Sequence, residues 1–199
     1  MYSDKPFSQA CENNKDPILN VITRIFTRTM TVWEIGSGTG QHACYFAQNL
    51  AHLTWQPTDL NENLAGISRW VEDIDLSNLV LPIELDVRAG LWPCSKIDGL
   101  FTANTLHIMS WQVVEVLFER LAGTLQKHAD VCIYGPFNYQ SHYTSDSNAG
   151  FDQWLKARDP ASGIRDQEAV VKLARQAGIE LQEDVEMPAN NRLLVFSKG

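Results

Sequence analysis

The chain has 199 residues, with 24 acidic against 16 basic side chains and a formal net charge of −8. That length suits a single domain over residues 1–199, and the absence of a Lys/Arg cluster argues against nucleic acid as a partner. Cys11, Cys44, Cys94 and Cys132 are widely spaced and form no CxxC pair, so they read as reduced, buried thiols rather than a disulfide framework.

No apolar run approaches the ~18 residues of a membrane span, and residues 1–10 contain no signal-peptide core. A soluble cytoplasmic protein with no membrane partner is therefore expected. Asp16-Pro17 reads as the N-cap and first position of a helix over residues 16–28. A strand over 31–35 ends in a glycine turn, a helix over 40–50 follows, and a second strand covers 53–57. Asn61 can cap a helix whose Leu64, Ile67, Val71 and Ile74 share one apolar face. The third strand is expected over 79–85 and the fourth over 98–103. Ser110 caps a helix with Val114, Leu117, Leu121 and Leu125 on one face, and the fifth strand covers 129–134. A polar loop over 138–147, helices over 148–157 and 166–177, and strands over 179–187 and 192–197 complete the chain. Residues 188–191 are too few for a helical crossover, so the last two strands must be antiparallel. The expected architecture is α/β and Rossmann-like. It has a seven-stranded mixed sheet of five parallel strands plus a C-terminal antiparallel hairpin, with helices on both faces.

The turn after the first strand reads Glu34-Ile35-Gly36-Ser37-Gly38-Thr39-Gly40-Gln41-His42, at the crevice mouth where open α/β sheets bind ligands. The dinucleotide fingerprint GxGxxG requires glycine where Gln41 stands, and a P-loop requires Gly-Lys where Gln41-His42 stands. Neither phosphate cradle fits. The pattern acidic-x-G-x-G-x-G instead resembles the first motif of class I S-adenosylmethionine-dependent methyltransferases, with Glu34, Gly36, Gly38 and Gly40 at its four positions. The resemblance implies a cofactor site that includes Ser37, with Glu34 organising the cofactor's amino end directly or through water.

Asp59 stands at the end of the second strand, where a carboxylate can accept hydrogen bonds from both ribose hydroxyls, with Leu60 beside it. NAD enzymes use the same device, so Asp59 supports a ribose without choosing the cofactor; a helix N-cap is its bland alternative. Asp86 ends the third strand. In class I methyltransferases the matching acid accepts from the adenine amino group, and the N–H of the next residue, here Val87, meets a ring nitrogen. Three acids at the ends of three successive strands are the strongest single argument for this cofactor.

By the same resemblance Asn104 and Leu106, after the fourth strand, line the cofactor, and His107 faces the donor methyl. An imidazole titrating near neutral pH could serve there as general base, or wedge the strand against the next helix. His42, near a helix start, reads as structural. The Asn/Asp-Pro-Pro-aromatic motif of amino-methyltransferases is missing, and Pro93-Cys94 precedes the strand instead of following it, as a cytosine-directed nucleophile would. No metal-ligand spacing appears. Phe137, Tyr139, His142 and Tyr143 follow the fifth strand and could close over a small apolar or aromatic methyl acceptor.

Along nearly its whole length the chain also resembles a family of methyltransferase-like proteins known as a domain of unknown function. The matching stretches include Pro6-Phe7-Ser8, Asn14-Lys15-Asp16-Pro17, Tyr134-Gly135-Pro136-Phe137, Arg158-Asp159-Pro160, Gly163-Ile164-Arg165-Asp166 and Met187-Pro188-Ala189-Asn190-Asn191. A basic residue expected after Glu12 is replaced by Asn13, which weakens any substrate role for a cation there. The resemblance implies that Asn14 and Lys15 lie over the cofactor pocket, where Asn14 could meet the substrate, with structural capping of the first helix as the alternative. The expected activity is methyl transfer to a small molecule. A non-catalytic cofactor-binding module and, less favoured, an NAD(P) oxidoreductase are the alternatives.

Overall fold

The computed structural model describes residues 5–28, 30–90, 92–93 and 96–199. In chain order its elements are α1 Gln9–Ile25, β1 Thr31–Ile35, α2 Gln41–Asn49, β2 Thr54–Asp59, α3 Asn61–Ile74, β3 Ile83–Glu84, β4 Ile97–Ala103, α4 Trp111–Thr124, β5 Leu125–Gly135, β6 Phe137–Asn138, α5 Asp146–Arg158, β7 Arg165–Asp166, α6 Gln167–Gln176, β8 Ile179–Met187 and β9 Asn191–Lys198. The main sheet has the order β3-β2-β1-β4-β5-β9-β8. Its first five strands are mutually parallel, and β9 pairs antiparallel with both β5 and β8.

Side-chain alternation along the strands explains the layers. In β5, Val131 and Ile133 face a core with α4 and α6, while Cys132 and Tyr134 face one with α1, α2 and α3. In β9, Leu194 and Phe196 join the first core and Leu193 and Val195 the second. Helices therefore cover both faces. The crevice mouth falls between β1 and β4, where the strand order reverses direction.

Three elements differ from the sequence expectation. α1 begins at Gln9, because Ser8 caps it by accepting from Cys11 N–H at 3.4 Å, and Pro17 lies inside the helix. The carbonyl that Pro17 cannot serve is that of Asn13, an exposed residue where water can take its place. The third strand shrinks to Ile83–Glu84, with Leu79 only bridging to Trp55, because Pro82 has no N–H to give the ladder. At the start of the expected polar loop, β6 (137–138) pairs with β7 (165–166) in a separate two-stranded sheet. Cys44 and Cys132 are buried free thiols and Cys11 is partly exposed; Cys94, and with it the Pro93-Cys94 pair, lies outside the described residues. Among the described residues no helix is long and apolar enough to cross a membrane.

Candidate functional site

The loop leaving β1 folds back over the end of β2. Gly36 N–H and Ser37 N–H both donate to Thr58 O at 3.0 Å. Gly36 has φ 73°, and a Cβ there would meet the Thr105 side chain at 2.9 Å. Gly40 has φ 88°, and its Cβ would press on the Ile67 backbone of α3 at 3.1 Å. Only glycine meets both demands without strain.

Glu34 is buried beneath this loop, on the side of the sheet shared with α1, α2 and α3. Its Oε2 accepts from Trp55 Nε1–H and from the Ser37 hydroxyl, each at 3.0 Å. The Ser37 oxygen accepts in turn from Thr58 N–H at 3.1 Å. Burial pushes the Glu34 carboxyl up to about 7, against the lowering effect of those two donors. As placed, Glu34 braces the loop from below and is not part of the cleft wall.

A cleft of about 670 Å³ opens above the loop. Its walls bring together Gly36, Ser37, Gly38, Asp59, Leu60, Asp86, Val87 and Asn104 from the expected set. Asp59 Oδ2 accepts from Gly38 N–H at 2.6 Å, and Oδ1 accepts from Leu60 N–H and Asn63 Nδ2–H at 2.7 Å each. Asp86 is held by Arg88, whose Nη2 lies 2.7 Å and Nε 2.9 Å from its oxygens. That guanidinium keeps the Asp86 carboxyl below its usual range.

Other expected residues lie away from this wall. Gly40 supports α3 and Leu106 is buried in the core. Asn14 sits one layer behind: its Oδ1 lies 2.7 Å from Nε2 of His42, which itself lines the cleft. His107 is 5% exposed and packs edge-on against Phe151 of α5. Burial, reinforced by Arg165 and Arg158, lowers its imidazole to about 4, so the near-neutral base expected from sequence is corrected to a buried, weakly basic ring. Phe137 is a core residue. Tyr139 donates its hydroxyl to Asp184 and Tyr143 donates to Asp152, each at 2.7 Å, while His142 Nδ1 lies 2.6 Å from Gln140 O. None of the four lines the cleft described above.

Sequence reasoning missed several wall residues. Ser8 and Cys11 arrive from the start of α1, and Thr39, Asn63 and Arg88 flank the expected positions. Beyond β4 the wall continues through Thr105, Ile108, Met109 and Val113, then Asp159 from the end of α5. Thr39 lies within the glycine motif, and the stretches Pro6-Phe7-Ser8 and Arg158-Asp159-Pro160, singled out by resemblance, include Ser8 and Asp159.

A family model described as a protein of unknown function (DUF938) matches residues 5–198. Among solved structures, the chain is similar to an O-methyltransferase family protein from Burkholderia thailandensis, with 16% identity and a TM-score of 0.80 over 93% of this chain and 56% of that one. It is also similar to an O-methyltransferase family 2 protein from Planctomyces limnophilus in complex with apigenin (14% identity, TM-score 0.80, 94% and 57% covered). A third is the S-adenosylmethionine-dependent methyltransferase SibL in its apo form (18% identity, TM-score 0.79, 94% and 55% covered). The chain thus spans little more than half the length of these structures, and the likeness establishes a Rossmann-like methyltransferase fold.

Proposed function

For a chain that belongs to the DUF938 family of proteins of unknown function, we propose S-adenosylmethionine-dependent methyl transfer to a small-molecule acceptor. The observation that carries this reading is the convergence of the Gly36–Thr39 backbone, Asp59 and Asp86 on one cleft. The donor set fits the cofactor chemically. Two carboxylates offer acceptors to ribose hydroxyls and to an amino group, the glycine loop gives close backbone approach, and the loop residues 36–40 include no lysine or arginine to receive a phosphate, the Arg88 of the cleft wall being paired with Asp86. The cofactor when bound supplies a methyl group on a positively charged sulfur.

The chain's own contribution is binding and orientation. Asp59 would hold the ribose, with Leu60 beneath it. Asp86 and the Val87 N–H would hold the adenine, for which the Asp86 carboxylate must turn from Arg88 or be shared with it. Asn104 lines the cleft with φ 57°. The small-molecule ligand printed for one structural relative, apigenin, supports a small acceptor in preference to a macromolecule.

Burial of His107 favours a second reading, a module that binds the cofactor without turnover. Titration with S-adenosylmethionine and S-adenosylhomocysteine, followed by a tritiated-methyl screen of metabolites, separates the two. Binding with transfer supports the enzyme, binding without transfer supports the module, and no binding removes both.

A further inference from the structure

The cleft wall beyond β4 is built by a different part of the chain from the loop that would hold the cofactor. Residues 106–109 present four successive backbone carbonyls, and the segment 161–165 binds every one. Arg165 Nε donates to Leu106 O at 3.1 Å, Gly163 N–H to His107 O at 2.9 Å and the Ser162 hydroxyl to Ile108 O at 2.8 Å, while Arg165 Nη2 donates to Met109 O. Such complete pairing fixes the turn and holds Ile108 toward the opening, where it stays 48% exposed although its neighbours are buried or partly buried. Ile108, Met109 and Val113 thereby form an apolar wall in the cleft.

Asp159, the residue that closes α5 just before the clamped segment, adds a carboxylate to that wall. Its N–H closes α5 on Leu155 O at 2.9 Å, so it stands at the negative end of the helix dipole. The two cations in the last turn of α5 are engaged elsewhere. Lys156 Nζ binds Asp152 at 2.6 Å, and the Arg158 guanidinium lies 5.0 Å over the Trp154 ring. The main-chain carbonyl of Asp159 accepts from Ser162 N–H at 2.9 Å, while its carboxylate accepts from Ala161 N–H at 3.0 Å and, among the described residues, joins no ion pair. Among the described residues Asp159 has fewer protein donors than the other two carboxylates of the cleft, since Asp86 faces the Arg88 guanidinium and Asp59 receives three N–H groups.

We infer that this wall is the acceptor subsite and that Asp159 selects apolar acceptors carrying a protonated amine over anionic ones. The inference rests on the proposed reading, in which the cofactor fills the part of the cleft above β1, β2 and β3. An amine seated against Asp159 gains a charge-assisted hydrogen bond beside an apolar contact, whereas a carboxylate there meets like charge.

The test uses two matched probes, tryptamine and indole-3-propionate, titrated calorimetrically into the protein saturated with S-adenosylhomocysteine. Tryptamine is expected to bind at least about tenfold more tightly. Asp159→Asn, which keeps the acceptor for Ala161 N–H, should reduce the preference to under about threefold. In the unaltered protein, raising salt from about 50 to about 500 mM should erode the same preference, an arm that needs no variant. Equal binding of the probes, a preference that survives Asp159→Asn, or no heat from either probe at about 10 mM would overturn the assignment. Failure of S-adenosylhomocysteine to bind would instead refute the cofactor reading, and the probe comparison without it would still read Asp159.

Discussion

The substitution Glu34→Gln tests the buried carboxylate under the glycine loop. A carboxyl that titrates at about 7 in the folded protein and 4.5 when exposed carries about 3 kcal/mol of pH-dependent free energy, at about 1.4 kcal/mol for each tenfold change in the proton equilibrium. Between pH 4.5 and about 7 the folded chain holds a proton that the unfolded chain has released, so stability falls as pH rises. The loss is complete above the folded value. The introduced amide would mimic the protonated form, because its carbonyl oxygen can still accept from Trp55 Nε1–H and the Ser37 hydroxyl. Urea unfolding from pH 4 to pH 8 should therefore show the variant gaining on the parent across that window by about 3 kcal/mol, then levelling. His42 and His107, each lowered to about 4 by burial, act in the opposite sense, contributing stability above pH 6.5 that is lost as pH falls toward 4. Both proteins share them, so they cancel in the difference. A difference that stays flat across the window would refute the buried, protonated carboxyl.

Asp59→Ala should weaken S-adenosylhomocysteine by roughly 1–3 kcal/mol in calorimetry, the scale of a lost charged hydrogen bond, and Asp86→Ala by the lower end of that range because Arg88 already competes for its oxygens. Unchanged affinity in both variants would refute the cofactor geometry. Arg88→Met, which frees Asp86 from an exposed, solvent-screened ion pair, should tighten the same ligand slightly; weaker binding would show that Arg88 is itself a ligand contact. Gly40→Ala should cost about 1–3 kcal/mol in chemical denaturation, since it combines a left-handed φ with a Cβ only 3.1 Å from the α3 backbone. A neutral result would mean that α3 shifts freely.

Much of the architecture was legible because its signals are local. β1 and β8 fall on the expected residues, Ser110 caps α4 by accepting from Val113 N–H at 3.3 Å, and the short connection, residues 188–190, does join antiparallel strands. The glycine loop, Asp59 and Asp86 could be placed on one cleft because each follows a strand of a parallel sheet, and that topology puts successive strand ends side by side. Boundaries governed by competition were harder to read. Asp16-Pro17 looks like a helix start, yet Ser8 caps α1 earlier, and Pro82 cuts the third strand to two residues. The acceptor end was least legible. The aromatic loop after β5 looked available, but Tyr139 and Tyr143 are tied to Asp184 and Asp152, partners 45 and 9 residues distant. The wall that does face the cleft depends on Arg165 reaching the carbonyls of residues 106 and 109, a long-range pairing with no periodic signature.

A crystal structure of the protein with S-adenosylhomocysteine tests the central claim most directly. The account predicts the ribose hydroxyls on Asp59, the adenine amino group on Asp86 and the chain amide beside Val87, with the sulfur directed toward the wall that carries Ile108 and Asp159. A ligand bound elsewhere, or with neither carboxylate in hydrogen-bonding reach, would contradict it.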